Sequence, residues 1–390
     1  MTFSSRTDWH RQPNRLTEHL EVRRASGGTI FDLTNSNPTD CGILYPEKEI
    51  LPALSDPHIL LYQPDPRGLL SAREAIAGYY HRKNLTVDPS NIFLTSSTSE
   101  AYSIVLKLLC NEGESMLVPQ PSYPLFEYLA RVNDVTLQHY RLTHDQVWQV
   151  DIDSIRQSIT PATKAIVLIN PHNPTGMVLT KDEFSQIATV ARENNLAIIV
   201  DEVFIDYGFD DTVQTIGSTS GAPDVLTFTL NGISKMCGLP QMKLGWMIVG
   251  GESRSVREAT ERLEILCDTF LSVNTPAQVA LPGLMKTGAS IRDAILSRLR
   301  SNYKLLCNRF PPHAPSSTLT SQGGWYGIIR VPHTRSDEEW ALELLEKRGV
   351  YLFPGYFFDF EKEGYLVVSL LVRQETFECA MREMAPLLAG

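Results

Sequence analysis

The 390-residue chain lacks the marks of several protein classes. Its six cysteines form no CxxC pair and show no regular spacing, which argues against a metal site or a disulfide framework. No apolar run is long enough to span a membrane, and residues 1–15 lack the apolar core of a signal peptide. Unpaired thiols without either targeting signal indicate a soluble, cytoplasmic protein that does not associate with membranes.

Positive charge is also scarce. The net charge of −10 and the pI near 5.4 offer no basic face to a nucleic acid. No GxGxxG opens a helix, so a nicotinamide-dependent dehydrogenase is disfavoured. What the chain does have is length and 43% apolar residues, enough for one large and one smaller domain.

Strand and helix patterns alternate through most of the chain. Residues 165–169 and 196–200 are continuous apolar runs typical of buried parallel strands, and Thr180 with Glu183 predicts a capped helix between them. This alternation predicts a doubly wound α/β sheet. From about residue 291 the pattern becomes helix, short strands and a terminal helix. We therefore expect an N-terminal arm (1–40) that belongs to the small domain, a large domain (41–290) and a small α+β domain (291–390).

Several polar motifs follow apolar runs, where open α/β sheets bind their ligands. Ser97 and Glu100 have capping-box spacing after a short strand, so the hydroxyls of Ser96, Ser97 and Thr98 surround a predicted helix N-terminus. Such a turn is either a plain N-cap or an anion site. Lys235, in a Gly-rich loop after residues 225–230, is either a solvated charge or a nucleophile.

For three further residues, the sequence likewise leaves structural and functional roles open. Asp201 at a strand end is a helix cap, a surface charge or a site carboxylate. Tyr123, between two prolines, is a wedge in a turn or a ring that contacts a ligand. Asn173 precedes Pro174 in a candidate cis peptide, and its amide is either satisfied by backbone or directed into a pocket.

The order of these motifs is informative. PSYP (121–124), NPHNPTG (170–176), DEV (201–203), SK (234–235) and GLPxxKxGW (238–246) together resemble the class I/II aminotransferases of fold type I. The resemblance runs from about residue 33 to the C-terminus. It implies a doubly wound, mostly parallel sheet beside a smaller α+β domain, pyridoxal 5′-phosphate (PLP) as cofactor, and a homodimer with shared active sites. The implied reaction moves an amino group between an L-amino acid and a 2-oxo acid.

The resemblance also implies residue roles. Lys235 carries the cofactor on its amine and then acts as the base at the substrate's Cα, while Asp201 keeps the ring nitrogen protonated. Asn173 donates to the ring's O3′ and contacts substrate, and the ring of Tyr123 stacks on the cofactor. The implied phosphate and cofactor contacts further include Ser97, Thr98, Ser234 and Lys243.

Other implied contacts lie further from these motifs. Tyr62 and the segment 275–278 reach the phosphate of the neighbouring subunit, and Asn37 lies in a loop that faces the substrate.

The chain departs from the family pattern at several positions. Phe204 replaces a tyrosine whose hydroxyl bonds O3′, with Tyr207 as a possible substitute donor. Lys243 replaces an arginine and therefore lacks its bidentate fork. Gly232 stands where serine is common.

Val367 replaces the arginine that holds the substrate's α-carboxylate. We expect Arg330, on a neighbouring predicted strand, to bind the substrate instead. Arg373, Arg15 and Arg67 are alternatives.

These departures leave two enzyme hypotheses. The first is a PLP-dependent aminotransferase. The second is another PLP reaction on an amino acid in a biosynthetic pathway, namely elimination, cyclisation, decarboxylation or oxidation, and it is motivated by Phe204, Lys243 and Val367. A DNA-binding regulator on the same scaffold is disfavoured, because the first thirty residues are too few and insufficiently basic.

Overall fold

A computed structural model describes residues 3–9, 12–210 and 224–388. The α-helices of these residues are α1 (Arg15–Ala25), α2 (Glu47–Ala53), α3 (Leu70–His81), α4 (Thr98–Leu109), α5 (Leu125–Val132), α6 (Ile152–Ser158), α7 (Lys181–Glu193), α8 (Ile233–Met236), α9 (Ser253–Phe270), α10 (Thr275–Arg309), α11 (Asp337–Arg348) and α12 (Gln374–Leu388). The β-strands are β1 (Phe31–Asp32), β2 (Ile92–Thr95), β3 (Ser115–Gln120), β4 (Thr136–Asp145), β5 (Val147–Val150), β6 (Thr163–Ile169), β7 (Ala197–Asp201), β8 (Thr227–Gly232), β9 (Gly245–Gly250), β10 (Ser317–Thr318), β11 (Tyr326–Arg330), β12 (Val350–Tyr351), β13 (Phe353–Pro354) and β14 (Tyr365–Ser369). Short 3-10 turns occupy Ser5–Thr7, Pro57–Leu60, Pro89–Asn91, Pro240–Met242 and Gly355–Phe358.

The large sheet has the strand order β2-β9-β8-β7-β6-β3-β4-β5. Its centre, from β8 to β4, is parallel, whereas β2, β9 and β5 pair in antiparallel fashion at the two edges. This confirms the predicted doubly wound, mostly parallel sheet. The β4–β5 hairpin was not predicted, because the burial along β4 alternates irregularly and gives no clear apolar run.

The sheet separates two apolar cores. Val167 of β6 and Ile199 of β7 face the core that holds α4, α5 and α9. Their neighbours Ile166, Leu168 and Ile198 face the opposite core, which continues into the C-terminal part of the chain. Both faces of the central strands are therefore buried, which explains why these strands are apolar throughout instead of alternating.

The two predicted capping boxes differ in outcome. Thr180 and Glu183 form a complete box at α7, in which each side chain caps the other residue's backbone. At α4, Ser97 accepts a hydrogen bond from the N–H of Glu100 at 3.2 Å, but the Glu100 carboxylate accepts from the N–H of Ser96 at 2.6 Å. Ser97 is therefore the N-cap, as predicted, but the reciprocal hydrogen bond of a capping box is missing, because the Glu100 carboxylate accepts from the residue before the N-cap.

A second, antiparallel sheet has the order β10-β11-β14-β13. The arm after α1 joins this part of the chain, since β1 pairs in parallel with β12 through Phe31 and Val350. The expected domain boundary near residue 290 falls inside α10, an uninterrupted helix of 35 residues. One helix thus continues from the large sheet's layer into the C-terminal part. Over the described ranges, no helix combines the length and apolarity required to cross a bilayer.

Candidate active site

The carboxyl ends of β6, β7 and β8 border a cavity of about 340 Å³. The cavity lies where the parallel strands end, as expected for a ligand site in an open α/β sheet. It brings together most of the predicted cofactor-binding residues: Ser97, Thr98, Tyr123, Asn173, Asp201, Ser234, Lys235 and Lys243.

Lys235 lies in the single helical turn α8, not in the loop that its Gly-rich surroundings indicated. Its Nζ is 4.4 Å from the ring centroid of Trp325 and 5.9 Å from that of Phe204. Burial among these rings lowers the pKa of Lys235 to about 8. The uncharged amine, which a nucleophile or a base requires, is therefore far more populated near neutral pH than in an ordinary lysine.

Asp201 ends β7 and is only 9% exposed. The Tyr102 hydroxyl donates to its Oδ2 at 3.1 Å, and the Val203 N–H donates to its Oδ1 at 3.1 Å. Burial raises the pKa of Asp201 to about 6, although both hydrogen bonds act in the opposite direction. Asp201 forms no ion pair with the residues that the structure describes, and such a buried carboxylate is a candidate partner for a positively charged ligand atom.

Asn173 is 8% exposed and lines the same cavity. Its Oδ1 has no hydrogen-bond partner among the described residues, so the alternative of an amide satisfied by backbone does not hold for that atom. The Asn173–Pro174 bond is cis, as predicted, and the Gln120–Pro121 and Asn170–Pro171 bonds are cis as well. An unpaired buried amide oxygen is a polar group that a ligand or water can satisfy.

Tyr123 follows β3 and contributes its ring to the cavity while remaining 42% exposed. Burial, and the negative charge of Asp201, raise the pKa of the Tyr123 phenol. The exposed ring therefore borders the cavity without closing it.

The N-terminus of α4 forms one end of the cavity, with Ser97, Thr98 and Ser99 in the lining. Gly245 of β9 lies directly against this turn. A Cβ at position 245 would lie 3.1 Å from the carbonyl carbon of Ser97 and 3.2 Å from the nitrogen of Thr98. The missing side chain lets β9 approach this turn closely. The backbone N–H groups of the turn lie at the positive end of a helix, which is a favourable anion site.

Ser234 and Lys243 also line the cavity, and Lys243 comes two residues before Gly245. Lys243 adopts a left-handed conformation with φ of 50°. Its ammonium group adds a point charge to the neutral donors of the helix N-terminus. Hydroxyls, free N–H groups and a cation thus converge at this end.

Three predicted residues lie outside this lining. Asn37 is exposed, and its side chain caps a turn by accepting from the Thr39 N–H at 3.1 Å and donating to Asp40 at 2.9 Å. The neighbouring Ser36 lines the cavity in its place. Arg330 is exposed at the far end of β11, four residues beyond Tyr326, which does line the cavity. The structure therefore gives no support to Asn37 or Arg330 as substrate ligands.

Tyr62, the third, is 77% exposed and lies in a separate surface cleft. The same cleft contains Thr275 and Gln278, which lie in the first turn of α10.

The alternative arginines are engaged elsewhere. Arg15 pairs with Glu338 at 3.1 Å, and the Nε of Arg67 lies 2.8 Å from Glu264. Arg373 is exposed and packs against Gly42. Val367 is fully buried in β14, in the apolar core.

Two aromatic positions resolve the question of the missing tyrosine. Phe204 lines the cavity, so a hydroxyl is absent where the family pattern has one. Tyr207 is buried, and its hydroxyl donates to the backbone oxygen of Lys235. Tyr207 therefore holds the lysine's main chain and is not the substitute donor.

Sequence analysis missed Ser36, Ser99, Tyr102, Trp325 and Tyr326. Tyr102 offered one usable signal, because it lies on the buried stripe of α4 and a buried phenol requires a hydrogen-bond partner. Trp325 and Tyr326, at the start of β11, come about ninety residues after Lys235 in the sequence. Only tertiary contacts bring Trp325 to the lysine and Tyr326 to the cavity.

The fold and the site together define a transferase of fold type I. The sequence model described as aminotransferase class I and II matches residues 34–382. The chain belongs to this family, and it is an aminotransferase.

Among curated relatives, glutamate-pyruvate aminotransferase AlaA of Haemophilus influenzae is 30% identical over 387 residues, covering 97% of this chain and 94% of the relative. An alanine aminotransferase of Mycobacterium tuberculosis is 28% identical and covers 96% of this chain and 89% of its own length. Among solved structures, an alanine aminotransferase from Pyrococcus furiosus superposes with a TM-score of 0.90 at 26% identity, covering 99% of both chains. An Escherichia coli aminotransferase gives a TM-score of 0.87 at 28% identity, covering 100% of this chain and 98% of its own.

Proposed function

We propose that the protein is a cytoplasmic, homodimeric aminotransferase that uses PLP to move an amino group between an amino acid and a 2-oxo acid. The observation that carries this proposal is the meeting of three groups in one cavity. These are the half-buried amine of Lys235, the buried carboxylate of Asp201 and the N-terminus of α4.

The residues present fit PLP at each of its polar ends. The helix N-terminus at Ser97, the hydroxyls of Thr98 and Ser99 and the charge of Lys243 suit a phosphate. Asp201 suits a protonated ring nitrogen, because a cation beside it would remove the penalty that raises its pKa. The unpaired amide of Asn173 suits the ring's phenolic oxygen, given that its oxygen and nitrogen can exchange places.

When bound, PLP supplies an electron sink for the charge that develops at the substrate's Cα. The amine of Lys235 would hold the cofactor and would move a proton at the substrate's Cα. The lowered pKa of Lys235 favours the uncharged amine that both tasks need. Tyr207 fixes the lysine's backbone, and Tyr102 orients the carboxylate of Asp201.

The homodimer is supported by the surface around Tyr62. Leu60, Leu61 and Phe270 are 84%, 52% and 59% exposed beside it. Apolar side chains clustered in this way indicate a protein interface. A second copy that covers this patch would bring Tyr62 to another subunit's site, which accounts for its distance from the cavity of its own chain.

The test is a half-reaction followed by absorbance. Purified protein loaded with PLP is mixed with single amino acids, and the converted cofactor is then challenged with a 2-oxo acid. We expect an amino acid to convert the cofactor to its amine form and a 2-oxo acid to restore it. Release of ammonia or CO2 without this reversible conversion would contradict the proposal and support a different PLP reaction. Lys235→Ala serves as the inactive control.

A further inference from the structure

The charges of the cavity are few. Within residues 3–9, 12–210 and 224–388, its lining contains two cations, Lys235 and Lys243, and one anion, Asp201. Lys243 belongs to the end formed by the helix N-terminus, and Lys235 supplies the reactive amine. Neither cation is left to neutralise a second anion in the same cavity.

The end that faces the C-terminal part of the chain is neutral. It is formed by Ser36, Tyr326 and Asn173. Leu125 and Leu129 add apolar surface to the lining. These groups can hydrogen-bond a carbonyl or pack against a hydrocarbon, but they provide no counterion.

Among the described residues, no further Lys, Arg or His lines the cavity. Arg298 is turned to the backbone oxygens of Cys41 and Val372 at 3.2 and 3.3 Å. Residues 211–223 contain no Lys, Arg or His. In a dimer, the partner subunit would present the cleft around Tyr62 to this cavity. No basic residue from the described part of the chain lines that cleft.

A free carboxylate next to the reacting carbon would therefore enter this end unpaired. Burying an ion without a partner costs several kcal/mol, while a neutral amide or ester that finds a hydrogen bond costs far less. The cavity thus discriminates by charge at the position where an amino acid has its α-carboxylate.

We propose that at least one of the two substrates is an amine that has a neutral group at this position, namely a carboxamide, an ester or a hydrocarbon. The inference rests on the amino-group transfer of the proposed function and, for at least one of the two half-reactions, replaces the free α-carboxylate of the substrate by a neutral group. The amine-bearing carbon of this substrate loses two electrons and becomes a carbonyl, and its nitrogen leaves with the cofactor. The carbonyl carbon of the second substrate gains two electrons and takes the amino group, so no further oxidant is required.

The experiment compares matched pairs in the half-reaction, such as L-alanine with L-alaninamide and L-phenylalanine with L-phenylalaninamide. The quantity compared is the rate constant divided by the dissociation constant. It is calculated from the concentration of unprotonated amine, because the amide group lowers the pKa of the amine and the two compounds would otherwise not be comparable. We expect the amide to equal or exceed the acid in both pairs. An acid that reacts better than its amide overturns the inference. Failure of all four compounds would instead overturn the aminotransferase function on which it rests.

Two sets of variants test the physical cause. Ser36→Lys adds a cation at the neutral end, and Ser36→Gln matches its length without the charge. We expect the ratio of acid reactivity to amide reactivity to be roughly tenfold or more higher in the lysine variant than in the glutamine variant. This factor corresponds to one charge-assisted hydrogen bond. Equal ratios in the two variants would show that charge does not control this end.

His10 and Arg11 lie outside the described residues, so they are tested directly. The double variant His10→Gln/Arg11→Gln is expected to leave the acid-to-amide ratio unchanged. A loss of roughly tenfold or more that is confined to the acids would identify one of them as a carboxylate ligand and overturn the inference.

Discussion

Replacement of Asp201 by asparagine is expected to stabilise the cofactor-free protein while it abolishes activity. The pKa of Asp201 rises from 3.8 to about 6 on burial. This shift of about two pKa units corresponds to about 3 kcal/mol at a pH above both values. Because the folded pKa is raised, the uncharged carboxyl favours folding, and that contribution is lost as the pH rises from 3.8 through about 6.

The asparagine keeps the shape and both hydrogen-bond partners of the aspartate. Its oxygen can accept from the Val203 N–H, and its NH2 group can donate to the Tyr102 hydroxyl oxygen. Only the buried charge is removed. Linkage then predicts a gain of about 3 kcal/mol at pH 8 that falls to about 1.5 kcal/mol at pH 5.

The assay is urea unfolding of the cofactor-free wild-type and Asp201→Asn proteins at the two pH values. Tyr102→Phe is the matched control. It removes a donor from the buried carboxylate and is expected to destabilise the protein at pH 8 by about 1.5–3 kcal/mol. A variant Asp201→Asn that is less stable than wild type at pH 8, or a gain that does not change with pH, would refute the reasoning.

Three further predictions concern the cofactor site. Gly245→Ala should weaken PLP affinity by roughly tenfold or more in an absorbance titration, because its Cβ would displace the turn at which we propose that the phosphate binds. Unchanged affinity would contradict this phosphate assignment. Phe204→Tyr restores the missing hydroxyl and should lower the pH midpoint of the bound cofactor's absorbance change, while an unchanged midpoint would place position 204 away from the cofactor. Mixed and refolded Tyr62→Ala and Lys235→Ala subunits should recover up to about one quarter of wild-type activity, since half of the dimers are mixed and each has one intact site. No recovery above that of Tyr62→Ala alone would contradict a shared site.

Local sequence patterns predicted the central sheet and the polar residues at its edge. The apolar runs in β6 and β7 are unambiguous because both faces of the strands are buried. Asp201, Asn173 and Lys235 follow such strands directly, so strand position alone brings them to one cavity.

Features that depend on tertiary contacts could not be predicted in this way. Asn37 and Ser36 are adjacent in sequence, and only the turn between them and Asp40 decides which one faces the cavity. Arg330 lies on a correctly predicted strand, but it is four residues from the end that reaches the site. The expected boundary near residue 290 lies within α10, whose sequence pattern has no break there, and the division into domains stays a prediction.

The most direct test of the account is to locate the cofactor on the chain. PLP-loaded protein is reduced with borohydride, digested and analysed by mass spectrometry. The account predicts an adduct on the peptide that contains Lys235 and none in the Lys235→Ala variant. An unmodified Lys235 peptide, or an adduct on another lysine, would contradict it.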